Sequence, residues 1–295
     1  MKDNKIAITG SEGLIGKTVV NIFEKKNIKV VKIDRSSGLD VSKKKTINFL
    51  DEKKPNTIIH CAAHPGGLSN INPIDDVETN CLGSINIIDW CKKNGVNLIF
   101  TSSAAVYGDR SSRKIKENFK LNPGTIYGVN KIATENWIKI LSKIKKFPWS
   151  ILRLFPTYGA RHKPNTYQGI VNIMLTQIIK SKRIIVKGSL SREKDLIYCK
   201  DAASAILDVL KSNNTRGRTI NIATGVKTTV NEIINNIIEI LGYSLNNYDI
   251  LVEKSTLGDP MYSIADIGLA KKLINFKPKF SFRAGLVDTI KNYKI

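Results

Sequence analysis

Four cysteines, three histidines and only 25 acidic residues in a chain of 295 set the first limits. Cys61, Cys81, Cys91 and Cys199 form no CxxC pair and no histidine stands at zinc-ligand spacing. That argues against a metal module and predicts reduced, mostly buried thiols. No run is apolar and long enough to span a bilayer, and the chain runs straight into a strand without a signal-peptide pattern. A soluble, cytoplasmic protein with no membrane partner is therefore expected. No repeat and no low-complexity linker breaks the chain, and its length suits one large α/β domain or two unequal ones. Acids are outnumbered by 47 basic residues, for a net charge of +22. Such an excess raises the question of nucleic acid. The lysines, however, are spread among Asn and Ile, without an arginine-rich tail or an aromatic-interleaved basic segment. The charge is read as a lysine-biased background that attracts anionic ligands in general, with no nucleic-acid partner.

What the sequence does contain is concentrated first in Lys5 to Lys17, KIAITGSEGLIGK. Ile6, Ala7 and Ile8 make a short apolar run of the kind buried in a parallel sheet, and an amphipathic segment opens at Leu14. Between them Gly10, Gly13 and Gly16 are spaced GxxGxxG. Glycines there let a pyrophosphate approach the backbone, and the first free N–H groups of the helix point at it. A second apolar run, Ile28 to Ile33, ends in Asp34, 18 residues beyond Gly16, close to where an acid that binds the adenosine ribose is expected. Alone, Asp34 could simply begin a loop; the order strand, glycines, helix, strand, acid favours the ribose.

Further strands are predicted at Thr57 to His60, Val96 to Ser102 and Trp149 to Phe155, alternating with helices from about Asp75 to Lys93 and Tyr127 to Lys145. This alternation predicts a Rossmann-type, doubly wound parallel sheet, class α/β. Residues 1–160 form its dinucleotide-binding part, with 201–223 returning to it, and 161–200 with 224–295 make a smaller α/β substrate lobe. In the second half of the chain, Asp201 is expected to cap a helix to Lys211, Thr229 with Glu232 to form a capping box, and Asp266 to cap another short helix.

Tyr127 and Lys131 are four apart and share a helical face. A nearby ammonium is expected to stabilise the tyrosine's phenolate and lower its pKa. Ser103, at the end of the neighbouring strand, could hydrogen-bond the same substrate oxygen. Beside a nicotinamide, such a set removes a carbinol proton as the hydride departs. YxxxK alone recurs by chance in lysine-rich helices. His60 is read as a packed, hydrogen-bonded residue, whereas His64 and His162 could face substrate or water. Arg161, Lys163, Arg192 and Lys194 read singly as solvated surface charges and together as a group that could meet a diphosphate.

The motifs TGSEGLIG, VVKID, HCAA, ETNCLGS, SSAAVYG, YGVNK, LRLFPTYGA, DLIYCKD and GDPMYSIAD extend over nearly the whole chain. Together they resemble the extended short-chain dehydrogenase/reductases, specifically the nucleotide-sugar epimerase/dehydratase family typified by UDP-glucose 4-epimerase. The resemblance implies that Tyr127 is the base, Ser103 its partner, and Lys131 the holder of phenolate and nicotinamide ribose. It implies that Gly10, Gly13, Leu14, Ile15 and Gly16 wrap the pyrophosphate, that Asp34 and Arg35 meet the adenosine ribose, and that Asp40, Val41, Ala62, Ala63, Asn80 and Ser102 line the cofactor. Ser103, Ala104, Pro156, Arg161, Gly169, Arg192 and Lys194 fall to the nucleotide-diphosphate sugar. An arginine at 35 could receive a 2′-phosphate, but Asp34 would repel it, so the cofactor is NAD rather than NADP.

Relatives that eliminate water look like SSTDEVYG where this chain has Ala104 and Ala105, so epimerisation is expected, at C4. Pro156 replaces an asparagine common in relatives, and Lys194 stands where an arginine usually binds the diphosphate, losing the bidentate fork. The alternatives are a net reductase or dehydrogenase of a sugar nucleotide and, from another class, a non-catalytic dinucleotide sensor or RNA-binding relative. The family is often dimeric through two helices per subunit, which here are those from Asp75 and Tyr127, and a homodimer is expected.

Overall fold

In the computed structural model, which describes residues 5–110, 114–160 and 167–293, the first half alternates strand and helix. Strand β1 (Ile6–Thr9) leads through the glycine turn to α1 (Leu14–Lys25), then β2 (Val30–Ile33), α2 (Lys44–Lys53) and β3 (Thr57–His60). A helical rod follows in three parts: α3 (Pro73–Asp76), a π-helical turn at Val77–Gly83 and α4 (Ser84–Asn94). The single helix expected there is thus helical throughout but widened in its middle. Gly83 permits the widening to sit against the loop after β2, since a Cβ there would lie 2.5 Å from Val41 Cγ2. Next come β4 (Asn97–Ser103), α5 (Ile126–Ile144) and β5 (Trp149–Leu154).

The second half is more broken. Its elements are β6 (Thr157–Tyr158), α6 (Ile170–Lys180), β7 (Arg183–Lys187), β8 (Glu193–Lys194), β9 (Ile197–Tyr198), α7 (Cys199–Lys211), β10 (Arg218–Ile222), β11 (Thr228–Thr229) and α8 (Val230–Ile240). β12 (Asp249–Glu253), β13 (Tyr262–Ser263), α9 (Gly268–Ile274) and α10 (Phe282–Lys291) complete it. The capping box is present: Thr229 accepts from the Glu232 N–H while Glu232 accepts from the Thr229 N–H. The expected caps at Asp201 and Asp266 are displaced. Tyr198 precedes α7 without a side-chain cap, and Asp201, within its first turn, accepts from the N–H groups of Lys279 and Phe280, which ties down the approach to α10. Ile267 is the residue before α9, with Asp266 accepting from Gly268 N at 2.7 Å.

Six strands pair in the order β10-β5-β4-β3-β1-β2, all parallel. Being covered on both faces, they read as apolar runs; Ile6, Ala7, Ile8, Ile58, Ile59 and Ile151 are fully buried. One face is closed by α1 and α7, where Val19, Val20 and Phe23 meet Ala202, Ala203 and Ile206, the alanines allowing close approach. The other is closed by α4 and α5, with Ile87, Ile88 and Ile138 over Leu98 and Phe100. From β1 the chain proceeds outward to β2 and then returns to β3 on the opposite side. The carboxyl ends of β1 and β3 therefore flank the point where the winding reverses, where open α/β sheets place a ligand crevice. The smaller lobe has a separate core, in which Val171, Leu175 and Ile178 of α6 pack on Ile184 of β7 and on Ile233, Ile234 and Ile237 of α8. No helix among the described residues is long and apolar enough to cross a membrane.

Candidate active site

The glycine turn is constrained by its own backbone. Gly10 has φ +66°, and a Cβ there would lie 2.7 Å from the Ala62 backbone; one at Gly16 would lie 2.0 Å from Gly10 O. Side chains at either position would force β1, α1 and the loop after β3 apart. At the start of α1, Gly13 offers no side-chain cap and the first turn holds no acid. Its N–H donors and the positive end of its dipole are left for an anion, which fits a dinucleotide pyrophosphate. Asp34 closes the other side. Its carboxylate accepts from Ser36 N (2.9 Å), Ser36 Oγ (2.8 Å) and Glu12 N (3.0 Å). Partial burial would raise its pKa, but these donors and Arg35 bring it below the usual carboxylate value. Asp34 is thus a fixed anion at the rim, suited to accept from ribose hydroxyls.

His60 at the end of β3 is structural. Its Nδ1 lies 2.6 Å from Thr9 Oγ1 and its Nε2 3.0 Å from Ser84 Oγ, while burial, with Lys131 nearby, pushes its pKa down to about 3. Cys61 and Cys81 are partly buried, Cys91 and Cys199 buried, and all four are free.

Tyr127, Ser103 and Lys131 converge at the carboxyl edge of the sheet. Ser103 ends β4, caps the short turn Ala104–Val106 by accepting from Ala105 N at 3.2 Å, and hydrogen-bonds the Tyr127 side chain. Thr125 caps α5 through Gly128 N, so Tyr127 lies in its first turn and Lys131 one turn later. The Lys131 ammonium is 5.4 Å from the Tyr127 ring centroid and 4.8 Å from that of Phe100, and donates to Thr101 O at 3.1 Å.

The expected lowering of the Tyr127 pKa is not what this geometry gives. Burial pushes the phenol up to about 12, opposed by the Ser103 hydrogen bond and reinforced by Asp76. Lys131 moves the opposite way, to about 8, again through burial. The lysine donates to the Thr101 carbonyl and lies over the Phe100 and Tyr127 rings. The low dielectric disfavours the charged form of each.

Several expected ligand residues are engaged elsewhere. The Ser102 hydroxyl donates to Glu135 Oε1 at 2.7 Å. The Asn80 amide is turned onto the loop after β3, accepting from His64 N (3.0 Å) and donating to Asp76 Oδ1 (2.7 Å). Asp40 accepts from Ser42, and Val41 packs on Gly83. Gly169 has φ +75° and precedes α6, Pro156 lends its carbonyl to Ile197 N, and Leu14 and Ile15 open α1. Arg161, His162 and Lys163 lie outside the described residues. His64 is not open to water: it is 6% exposed, with Nδ1 3.7 Å from Asp76 Oδ2.

Arg192 and Lys194, read singly as solvated charges, are both buried. Both donate to Asp259, Lys194 also to Pro260 O at 2.7 Å and Arg192 Nε to Ser189 O at 3.1 Å. Burial pushes the Lys194 pKa down, helped by Arg192. Asp259 and Asp76 are functional candidates that sequence reasoning does not single out. A signal for Asp76 exists, a carboxylate four residues before Asn80 on one helical face, whereas Asp259 meets its partners across 65 and 67 residues of sequence.

Residues 6–223 match the model of the NAD dependent epimerase/dehydratase family. A Methanocaldococcus jannaschii protein named as a UDP-glucose 4-epimerase is 29% identical over 97% of this chain and 98% of its own. UDP-glucuronic acid decarboxylase 3 of Arabidopsis thaliana is 25% identical over 96% of this chain and 86% of its own. Among solved structures, the UDP-glucose 4-epimerase of Thermotoga maritima with UDP-glucose superposes with a TM-score of 0.90 at 25% identity, over 98% of each chain.

Proposed function

The chain belongs to the NAD dependent epimerase/dehydratase family, and from that premise we propose that it epimerises a nucleotide-diphosphate sugar at C4 through a keto intermediate. The observation that carries this reading is the Ser103, Tyr127 and Lys131 cluster beside the glycine turn, followed by Ala104 and Ala105, which offer no acid or base for elimination. NAD, when bound, accepts and returns a hydride.

Gly10, Gly13, Leu14, Ile15 and Gly16 hold its pyrophosphate and Asp34 with Arg35 its adenosine ribose, while Asp40, Val41, Ala62, Ala63, Asn80 and Ser102 line its path. Tyr127 Oη takes the proton of the sugar hydroxyl and gives it back to the opposite configuration. Ser103 Oγ hydrogen-bonds the same oxygen and orients it. A phenol held near 12 keeps its own proton at neutral pH, so the forward step, in which Tyr127 accepts as a phenolate, needs the Lys131 ammonium to stabilise that phenolate beforehand. In this reading residues 1–160 and 201–223 serve the cofactor, and 161–200 with 224–295 the substrate. Arg192 and Lys194 anchor the diphosphate, with Arg161, Ala104, Pro156 and Gly169 around the sugar. Two cations sharing one carboxylate leave net positive charge for that anion.

A second reading, decarboxylation of a uronic-acid nucleotide, is favoured by the similarity to the Arabidopsis enzyme. Oxidation at C4 would make its C5 carboxylate a β-keto acid, which loses carbon dioxide. Incubation with UDP-, GDP-, CDP- and dTDP-sugars, including UDP-glucose and UDP-glucuronic acid, separates the readings by NMR of the product. A new stereoisomer without lasting change in nicotinamide absorbance supports epimerisation. A pentose nucleotide moves the assignment to decarboxylation, and stoichiometric NADH change to a net reductase or dehydrogenase. The protein is also proposed to be a homodimer, supported by exposed Ile74, Val77 and Leu82 on the rod and Val129, Ile140 and Ile144 on α5. A monomeric mass by light scattering at micromolar concentration would contradict this.

A further inference from the structure

Beneath the Tyr127 corner lies a fully buried carboxylate that the proposed reaction does not use. Asp76, the last residue of α3, accepts at Oδ1 from Asn80 Nδ2 and Asn130 Nδ2, each at 2.7 Å, and at Oδ2 from Ser69 Oγ at 2.5 Å. The three donors come from the π-helical turn, from α5 and from the loop after β3. Among the described residues no lysine or arginine pairs with Asp76; the nearest basic nitrogen paired with it is His64 Nδ1, at 3.7 Å. That nitrogen is buried and has no hydrogen-bond partner.

The loop so held, His64 to Asn70, is the surface against which Tyr127 rests. A Cβ at Gly66 would be 3.2 Å from the Tyr127 ring, so the bare backbone lies flat upon it. Asn70 Oδ1 accepts from Ile126 N (3.4 Å), and Asn80 O accepts from Thr134 Oγ1 (3.0 Å), so loop, turn and α5 are joined at several points around Asp76.

We propose that Asp76 is a positioning residue for the Tyr127 and Lys131 pair, its carboxylate joining the glycine loop that covers the Tyr127 ring to the helix that carries both. This rests on the reading of that pair as the proton-handling groups. An apolar residue there would strand the three buried donors, and the carboxylate also adds a negative field that holds protons on both groups. Asp76 indeed favours the protonated form of each. The other titratable groups around this corner are Cys81 on the π-helical turn, His64 on the loop, His60 and Cys61 beside β3, and Glu135 on α5.

The test is Asp76→Asn, which keeps an oxygen for Asn80 and Asn130 and offers Ser69 a donor in place of the second oxygen. Lysine labelled with 13C at Cε, with Lys131 assigned through Lys131→Met, reports the Lys131 midpoint by NMR without any turnover. The expected result is a fall of that midpoint by about half a unit or more. On whichever nucleotide sugar is turned over, kcat falls roughly tenfold or more with KM nearly unchanged. A folded Asp76→Asn protein with the wild-type midpoint overturns the proposal, whether or not a substrate has been found. Should Asp76→Asn not fold, Asn130→Ala removes the α5 tether and keeps the charge. The Lys131 midpoint then holds or rises while kcat falls; a fallen midpoint, or an unchanged kcat on an active enzyme, overturns the proposal.

Discussion

The sheet edge and the smaller lobe both bury positive charge, but they balance it differently. At the edge, the Arg153 guanidinium from β5 meets Glu135 through Nε (2.9 Å) and Nη2 (2.7 Å), and its Nη1 donates to Tyr107 Oη and Glu117 O. One buried cation faces one buried carboxylate, with the partly exposed Lys139 ammonium 3.4 Å from it, and Ser102 fills a further acceptor site. In the lobe, Arg192 and Lys194 share Asp259, which is 30% exposed. The first arrangement is closed and fixes the strand to the helix that bears Tyr127. The second has a surplus cation and a carboxylate that can exchange with an incoming anion. Under the proposed function, buried charge is informative only with its count of partners: matched charge would serve as framework, surplus charge as a binding surface.

If this division holds, chemistry and binding separate between the two regions. The largest effect is expected at the edge from Tyr127→Phe, which deletes one hydroxyl and keeps the ring against Gly66. Its kcat should fall by about 10²–10⁴, the usual range for a positioned acid or base, while KM and thermal stability stay close to wild type. A KM that rises with an unchanged kcat would place Tyr127 among the binding groups and break the comparison.

Arg153→Met should come next and act on stability. It leaves Glu135 buried with Lys139 as its remaining basic neighbour, at 3.4 Å. Stranding one member of a buried pair costs about 3–5 kcal/mol, measurable as a lowered denaturation midpoint in urea. A loss under about 1 kcal/mol would mean that the edge pair is no more than a surface ion pair in energy.

The same contrast separates what is legible in the amino-acid sequence from what is not. The six-stranded order is local in origin: apolar runs such as IAIT and TIIH, each followed by a helix, leave few ways to wind. The glycine turn, Asp34 and the Tyr127 helix are likewise contiguous motifs, and the Thr229 capping box spans four residues. What stays hidden depends on distance along the chain. Lys194 and Arg192 look like ordinary exposed charges until Asp259 arrives from 65 and 67 residues away. Lys131 has the spacing that lowers a phenol's pKa, but spacing says nothing of the Thr101 carbonyl that holds its ammonium. The π-helical turn at Val77–Gly83 has no periodic signature that separates it from an α-helix across seven residues.

The smallest effect, and the one that most sharpens the comparison, is expected from Arg192→Met. Methionine replaces most of the buried stem, and the Asp259 carboxylate keeps Lys194, so no charge is stranded. Stability should fall by about 1 kcal/mol or less, well short of Arg153→Met. Binding of the diphosphate, by contrast, loses a charged donor, and KM for the nucleotide sugar should rise roughly ten- to a hundredfold at nearly constant kcat. The pH dependence has a defined sign. Arg192 helps to push the Lys194 pKa down, so the wild-type lysine gives up its proton, and with it affinity for the diphosphate, at a lower pH than an ordinary lysine would. Without Arg192 that proton is held longer. The alkaline rise in KM should therefore move to higher pH in the variant, even though KM is larger throughout. An alkaline limb that stays in place, together with an unchanged KM, would show the two buried cations to be framework like Arg153, and the lobe's surplus charge to serve no anion at all.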